Sequence, residues 1–394
     1  MVMNDTVHVF LVGSMGLPPR YGGFETFVDE LTRGKSSERI RYYVACLQNS
    51  VMNVGQPRQF IENGACCFCI PNEWGGAAGR MLFVHRSLVY VEDWLQEHPG
   101  ERAVVYILGC RIGLLMPYHT AKLKKKGVRI FVNPDGLEWR RNKWNRAEKK
   151  LLRLSEANLV RTADTVICDS YEIKRYIEET YPEKKNVTQW IAYGAHLEEP
   201  SLDPAQFASW CTENGVTEGE YYLVVGRFVP DNNYELILKE FVASETKKKL
   251  VLITNAQENA FYRKLQASSG FDRDSRVVLS GPVYDRALLW HIRKHAFAYL
   301  HGHEVGGTNP SLLESMAASP LNLLIDVVFN REVAKDSALY FTKEPFSLRE
   351  VMRQAEAMPA EEAAAKKQQA CERIRESYSW PKICEQYEKV FLED

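Results

Sequence analysis

Short apolar runs alternate with longer amphipathic stretches along the chain. In the first half the runs are HVFLVG (8–13), YYVACL (42–47), VVYILG (104–109), VRIFVN (128–133), TVICDS (165–170) and VTQWIA (187–192). In the second half they are YYLVVG (221–226), KLVLIT (249–254), VVLSG (277–281), AFAYLHG (296–302) and NLLIDV (322–327). Unbroken runs rich in Val, Ile and Leu suit strands of a parallel sheet covered by helices on both faces. The intervals between them leave room for the crossover helices that parallel pairing requires. The pattern predicts an α/β protein of two doubly wound domains. LEEPSLDPAQF (197–207), polar and carrying two prolines, separates the two strand series and is the expected break. AEAMPAEEAAAKKQQACERIR (355–375) reads as an exposed helix, and YSWPKICEQYEKVFLED (378–394) as a terminal helix with aromatic residues to dock.

Composition fits this reading. The chain has 394 residues, more than the roughly 250–300 at which one hydrophobic core stops growing. Hydrophobic residues make up 45%, which excludes a disordered chain. Fifty Lys and Arg against 51 Asp and Glu give a net charge of -1, which argues against a protein coated for nucleic acid. No apolar run approaches the roughly 20 residues of a membrane-spanning helix. The opening MVMNDTVHVFLVG lacks a basic leader and reads as a first strand rather than a signal peptide. Nine cysteines, an odd number in a long chain, point to reduced thiols in a cytoplasm. The cluster Cys66-Cys67-Phe68-Cys69 has no matching CxxC pair and is expected as small apolar residues in a strand, not a metal site.

Four stretches carry candidate chemistry. GSMGLPPRYGGFETFVDEL (13–31) follows the first strand and enters a helix near Phe24, with Gly22 and Gly23 at its start. Glycines permit close backbone approach, and N–H groups at a helix start favour an anion. The spacing is neither a Walker loop nor GxGxxG, and such a turn is often purely structural; Arg20 and Glu25 beside it favour a functional one. In LVVGRFVPDNNYELILKEF (223–241) a strand ends at Gly226, which puts Arg227 at the edge where open α/β sheets bind ligands. Arginine suits phosphate, though one at a strand end is often an ordinary surface residue.

LHGHEVGGTNPSLLESMAAS (300–319) offers a loop through Gly306, Gly307 and Thr308, an N-cap at Asn309 and Pro310 in the first helical position. The helix is expected to begin with unsatisfied N–H groups. Glu314, one turn inside, suits vicinal hydroxyls such as those of a ribose; a dipole-stabilising glutamate is the plainer alternative. His301 and His303 alternate along the strand end, but no further ligand stands at metal-binding spacing.

NPDGLEWRRNKWNRAEKKLLRLS (133–155) places Asp135 just after a strand. It then sets Arg140, Arg141, Lys143, Arg146, Lys149, Lys150 and Arg153 among Trp139, Trp144 and leucines. A basic helix with interleaved apolar residues suits an anionic membrane surface, and equally a solvated helix face.

Taken together, these stretches resemble the GT-B glycosyltransferases of retaining family 4, along nearly the whole chain. GSMGLPPRYGGFETF, NPDGLEWRRNKW, GRFVPDNNYEL, HGHEVGGTNPSLLE and YSWPKICEQYEKVF resemble its bacterial rhamnosyltransferase branch, which builds cell-wall and capsular polysaccharides on lipid-linked sugars. The resemblance implies two Rossmann-like domains with a nucleotide-sugar cleft between them. The expected boundaries are 1–200 with a crossing helix at about 378–394 for the acceptor side, and 201–377 for the donor side. It implies Arg227 as the diphosphate-binding arginine, Glu314 as the second glutamate of Glu-x7-Glu, and Gly22 and Gly23 as the glycine loop. With them go Asn232, Gly306, Gly307, Thr308 and Asn309 for the donor, and Arg140, Arg141, Lys143, Trp144 and Arg146 for the acceptor and membrane.

The chain departs from the family at three positions. The first glutamate of the motif falls at Gly306, the usual lysine is replaced within Asp231-Asn232-Asn233, and Asp135 stands where many relatives place a histidine. The implied activity is retaining transfer of L-rhamnose from dTDP-L-rhamnose to a lipid-diphosphate-linked sugar, without metal or other cofactor. Its expected place is the cytoplasm, peripheral on the inner face of the membrane. The alternatives are a donor such as UDP-N-acetylglucosamine or UDP-galactose, a nucleotide-sugar epimerase, and a non-catalytic sugar-binding protein.

Overall fold

The computed structural model describes residues 5–19, 22–140 and 144–393. The chain divides into two compact units, 1–193 with 380–394, and 194–379. The division at Tyr193 falls shortly before the polar segment 197–207.

The first unit contains β1 (Val7–Val12), β2 (Ile40–Gln48), β3 (Gln59–Glu62), β4 (Ala65–Pro71), β5 (Arg102–Leu108), β6 (Arg129–Asn133), β7 (Thr165–Cys168) and β8 (Thr188–Trp190). Among the described residues its sheet runs β3-β4-β2-β1-β5-β6-β7-β8. Every neighbouring pair is parallel except β3 with β4. The second unit contains β9 (Tyr221–Val225), β10 (Lys249–Ile253), β11 (Val277–Leu279), β12 (Ala298–His301), β13 (Asn322–Ile325) and β14 (Leu339–Phe341). Its sheet runs β11-β10-β9-β12-β13-β14, all parallel. Each unit is thus a Rossmann-like α/β domain.

The expected apolar runs all became strands, the cysteine cluster lies in a strand as expected, and β3 and β14 are additional. β4 holds the cysteine cluster, with Cys67 and Cys69 buried. β3 is an edge strand with alternating exposure, so it lacks a continuous apolar run. Asn63 and Gly64 both take positive φ, 50° and 73°, the turn that folds β3 back on β4.

In the second sheet, successive residues of β9 feed opposite cores. Tyr222 and Val224 pack with Leu250, Leu252 and Leu300, whereas Tyr221 and Leu223 pack with Val251, Ile253 and Tyr299. Two covered faces explain why these strands read as unbroken apolar runs.

The terminal helix Trp380–Leu392 belongs to the first unit. Tyr387 lies 4.9 Å from Phe27 between ring centroids, and its hydroxyl is 3.3 Å from that of Tyr106. Glu388 accepts from the Ser36 amide at 2.7 Å and the Ser36 hydroxyl at 2.6 Å. Arg102 donates to the Glu393 carbonyl at 2.8 Å. Truncating one such buried aromatic costs about 3–5 kcal/mol.

Candidate active site

In a parallel α/β sheet the strands deliver their following loops to one edge, and each unit gathers candidate residues there. In the first unit the loop after β1 lies flat on the sheet. A Cβ at Gly16 would sit 2.5 Å from the Cys46 Cα, and the Leu17 amide donates to Cys46 Sγ at 3.4 Å. Gly22 takes φ 143° before the helix Gly23–Arg33, whose first bond runs from the Thr26 amide to the Gly22 carbonyl. The amides of Gly23 and Phe24 precede that bond.

Glu25 corrects the expectation attached to it. Its side chain is buried and Oε1 accepts the Met15 amide at 2.8 Å, so it braces the loop. Burial pushes its carboxyl above the ordinary value, while the Met15 amide and Arg80 pull it back. Arg20 lies outside the described residues.

Asp135 follows β6 in the left-handed region at φ 61°, a conformation costing a residue with a Cβ about 1–2 kcal/mol. Its amide donates to Asn133 Oδ1 at 2.9 Å, and its own Oδ1 accepts the Gly136 amide at 2.8 Å. One carboxylate oxygen therefore holds the turn. Oδ2 makes no hydrogen bond among the described residues.

The basic stretch differs from the expected continuous helix. The helix runs Arg146–Thr162, started by a capping box of Asn145 and Glu148, and Glu138–Arg140 forms a separate short turn. Asn145 wins the start because its side chain satisfies an amide that would otherwise lack a partner. Trp139 and Trp144 lie ahead of the helix and are partly buried. Arg153 stacks 4.7 Å from the Trp139 ring centre, Arg140 at 5.2 Å, and Trp144 Nε1 donates to Glu138 at 3.2 Å. The exposed apolar residues are instead Leu151 and Leu154, beside exposed Arg146, Lys150 and Arg153. Arg141 and Lys143 lie outside the described residues.

In the second unit, β9 ends at Val225 and Arg227 is exposed, its guanidinium free of hydrogen bonds and ion pairs among the described residues. Asn232, in the segment Asp231-Asn232-Asn233, ties two loops together. Its Nδ2 donates to the Arg227 carbonyl at 2.7 Å, and its Oδ1 meets His303 Nδ1 at 2.7 Å. Asn233 donates to the Gly302 carbonyl at 2.8 Å, and Asn330 to the His303 carbonyl at 3.1 Å.

Gly306 takes φ 129°, where an L side chain is strained. A Cβ there would lie 3.4 Å from His303 Nε2. The imidazole therefore borders the space a glutamate would occupy. His301 is fully buried beside it; burial holds its pKa well below the ordinary value, with His303 adding to the fall. The two rings stand 6.0 Å apart, and Asn232 engages His303.

The helix Pro310–Ala318 is capped by Asn309, as its sequence predicts. Its first turn is not short of partners, however. Asn309 Oδ1 accepts the Ser311 amide, the Asn309 carbonyl accepts those of Leu312 and Leu313, and Pro310 has none. The amides without a hydrogen bond among the described residues lie one step earlier, at Gly306 and Gly307. Thr308 between them and the cap is buried.

Glu314 is partly exposed, and its Oε2 pairs with Nη2 of the buried Arg293 at 2.6 Å. Neither Arg293 nor the Asn232–His303 bridge had been singled out in the sequence. Arg293 sits in an ordinary amphipathic helix, and the spacing of His303 suggests nothing beyond a metal ligand. The structure thus brings Arg227, Asn232 and the 302–314 segment together at one sheet edge, whereas Gly22, Gly23 and Asp135 occupy the corresponding edge of the first unit.

The chain has the GT-B fold, α/β with two Rossmann-like domains. Sucrose-phosphate synthase from Thermosynechococcus elongatus superposes with a TM-score of 0.76 at 12% identity, covering 98% of each chain. A glycosyltransferase from Rickettsia africae gives 0.74 at 10% identity, covering 98% of this chain and 97% of that one. Anabaena HepE, in complex with UDP and glucose, gives 0.73 at 12%, covering 98% and 99%. Residues 6–196 match the model of a domain of unknown function, DUF1972. No curated protein matches the chain.

Proposed function

We propose that the protein is a retaining glycosyltransferase that moves L-rhamnose from dTDP-L-rhamnose to a hydroxyl of a lipid-diphosphate-linked sugar, in bacterial cell-surface polysaccharide synthesis. The observation that carries this reading is the edge of the second sheet. The Arg227 guanidinium, unpaired among the described residues, the Gly306 and Gly307 amides and the Glu314 carboxylate share that edge. A cation and backbone amides suit a diphosphate, and a carboxylate suits a hydroxyl of the nucleotide's sugar. The GT-B fold supports the same reading by analogy.

As the glycosidic bond breaks, negative charge grows on the departing diphosphate. Arg227 and the glycine-loop amides stabilise it. The acceptor hydroxyl attacks from the leaving-group side, and a phosphate oxygen takes its proton. Asp135 orients a sugar hydroxyl or faces the positive charge developing on the sugar. No divalent metal takes part in this scheme. Exposed Leu151 and Leu154 with Arg146, Lys150 and Arg153 hold the first domain at the anionic inner face of the membrane, where the lipid-linked acceptor resides. Among the described residues no helix is long and apolar enough to cross it.

A donor panel of dTDP-L-rhamnose, UDP-N-acetylglucosamine and UDP-galactose, assayed with and without a lipid-linked monosaccharide and with excess chelator, tests this. The expected product is a rhamnosylated lipid whose formation survives chelation. Transfer from a UDP-sugar alone favours the second donor reading, for which the UDP complex of HepE is the supporting observation. Donor conversion without acceptor means an epimerase, and binding without turnover a sugar-binding protein. Activity lost on chelation and restored by magnesium refutes the metal-free scheme.

A further inference from the structure

Arg293 is the only buried arginine among the described residues, and the scheme above gives it no part. It lies on the helix Arg286–Lys294 with a side chain 4% exposed. Its Nη2 reaches Glu314 Oε2 at 2.6 Å and the Ser311 hydroxyl at 3.3 Å, while its Nε has no hydrogen-bond partner among the described residues. Ser311 continues the chain of contacts. Its hydroxyl lies 2.9 Å from that of Tyr299, which donates to the Val225 carbonyl at 3.2 Å. Val225 is the last residue of β9, two positions before Arg227. One buried cation therefore links the helix that carries Glu314 to the strand end that carries Arg227.

Two physical consequences follow. An unpaired carboxylate beside an incoming diphosphate would repel it, and Arg293 cancels that charge from within the domain. A carboxylate held by a buried guanidinium also has a fixed rotamer and one oxygen already engaged. Among the described residues Oε1 has no partner, so it is the oxygen with its full accepting capacity toward a ligand. Two vicinal hydroxyls gripped by both oxygens, the arrangement expected for a ribose, would have to share Oε2 with Arg293, in the directions the guanidinium leaves open.

Resting on the donor-site reading above, we propose that Arg293 is a positioning residue that fixes Glu314 to take a single hydroxyl of the nucleotide's sugar. The site then accepts a 2′-deoxyribose as readily as a ribose. The contacting hydroxyl is the 3′-OH, the one that both sugars possess.

Calorimetric titration of the wild-type protein with UDP, 2′-deoxy-UDP and 3′-deoxy-UDP tests the proposal without any variant. The expected result is UDP and 2′-deoxy-UDP within about threefold of each other, and 3′-deoxy-UDP weaker by about tenfold or more, the loss expected for one charge-assisted hydrogen bond. A tenfold preference for UDP over 2′-deoxy-UDP overturns it. The same panel on Glu314→Gln, Arg293→Met, Arg293→Lys and the double variant Arg293→Met/Glu314→Gln assigns the roles. Arg293→Met is expected to lose the 3′-hydroxyl discrimination as fully as Glu314→Gln, with the double variant no worse than either, and Arg293→Lys to recover part of it. If Glu314→Gln loses discrimination and Arg293→Met keeps it, the positioning role fails while the donor site stands. If no nucleotide diphosphate binds the wild type, or Glu314→Gln binds all three unchanged, the donor site itself fails. Equal weakening of all three nucleotides in Arg293→Met, with discrimination intact and a lowered melting temperature, marks a merely structural arginine and also overturns the proposal.

Discussion

Replacing Asn232 by alanine tests whether the two loops at the edge of the second sheet work as one site. The side chain makes two contacts at 2.7 Å, one to the Arg227 carbonyl and one to His303 Nδ1. Hydrogen bonds of this kind contribute about 1 kcal/mol each, with a further penalty where a partner is left unsatisfied, so the bridge is worth about 1–3 kcal/mol. Alanine leaves the Arg227 carbonyl and the His303 ring to other partners and frees each loop to move separately. A ligand that needs both loops then bears the cost of ordering them, which lowers its affinity. At about 1.4 kcal/mol per factor of ten, the expected loss is roughly 10–100-fold in nucleotide affinity and in kcat/KM for the donor. For a domain of this size each kcal/mol lowers the melting temperature by about 2–4 °C, so the expected fall is about 2–12 °C. Titration with dTDP and UDP, steady-state kinetics and a thermal melt measure all three. Nucleotide affinity and kcat/KM within twofold of wild type would refute the reasoning, because the loops would then bind independently of the bridge.

Arg227→Ala should lower turnover by about 10²-fold or more with little change in melting temperature, since its charge acts as the diphosphate leaves; full activity in the folded variant removes it from the site. Glu314→Ala should instead weaken nucleotide binding about tenfold, read by titration. Glu25 should leave a signature in the pH dependence of stability. Its folded pKa is raised above the ordinary 4.5, so between those two values the folded state holds a proton that the unfolded state has lost. Its contribution is therefore present below 4.5 and declines as pH rises through the folded pKa; urea midpoints across that range should show a slope that Glu25→Gln flattens. Changing Arg146, Lys150 and Arg153 to Gln should reduce binding to anionic liposomes while sparing activity on a short soluble acceptor, each charge contributing on the order of 1 kcal/mol near the bilayer. Liposome binding unaffected by these changes and by salt makes the surface an ordinary solvated face.

Local sequence was enough for the elements whose cause is local. Runs such as VVYILG and YYLVVG became buried parallel strands because both faces of each sheet are covered, leaving no polar position to interrupt the run. Asn309 and Pro310 announced a helix start because a cap needs only its own neighbours. Likewise, a strand ending at Val225 necessarily delivers Arg227 to the sheet edge. The edge strand β3 was hidden because one of its faces meets solvent and its alternation is short.

What tertiary structure decided is the set of partners that lie far apart in the chain. Glu25 favoured a functional reading of the glycine turn until the loop after β1 folded onto it and claimed its carboxylate. The tryptophans of the basic stretch left the helix surface because Asn145 capped the helix downstream and arginines stacked on Trp139. Asn232 and His303 are 71 residues apart and meet only because β9 and β12 are neighbours in the sheet. Arg293 and Glu314 lie on separate helices, and nothing in either local sequence marks them as a pair. Sequence fixes the identity and local conformation of a side chain; the charge it meets and the hydrogen bonds it has left to offer depend on which strands and helices pack beside it.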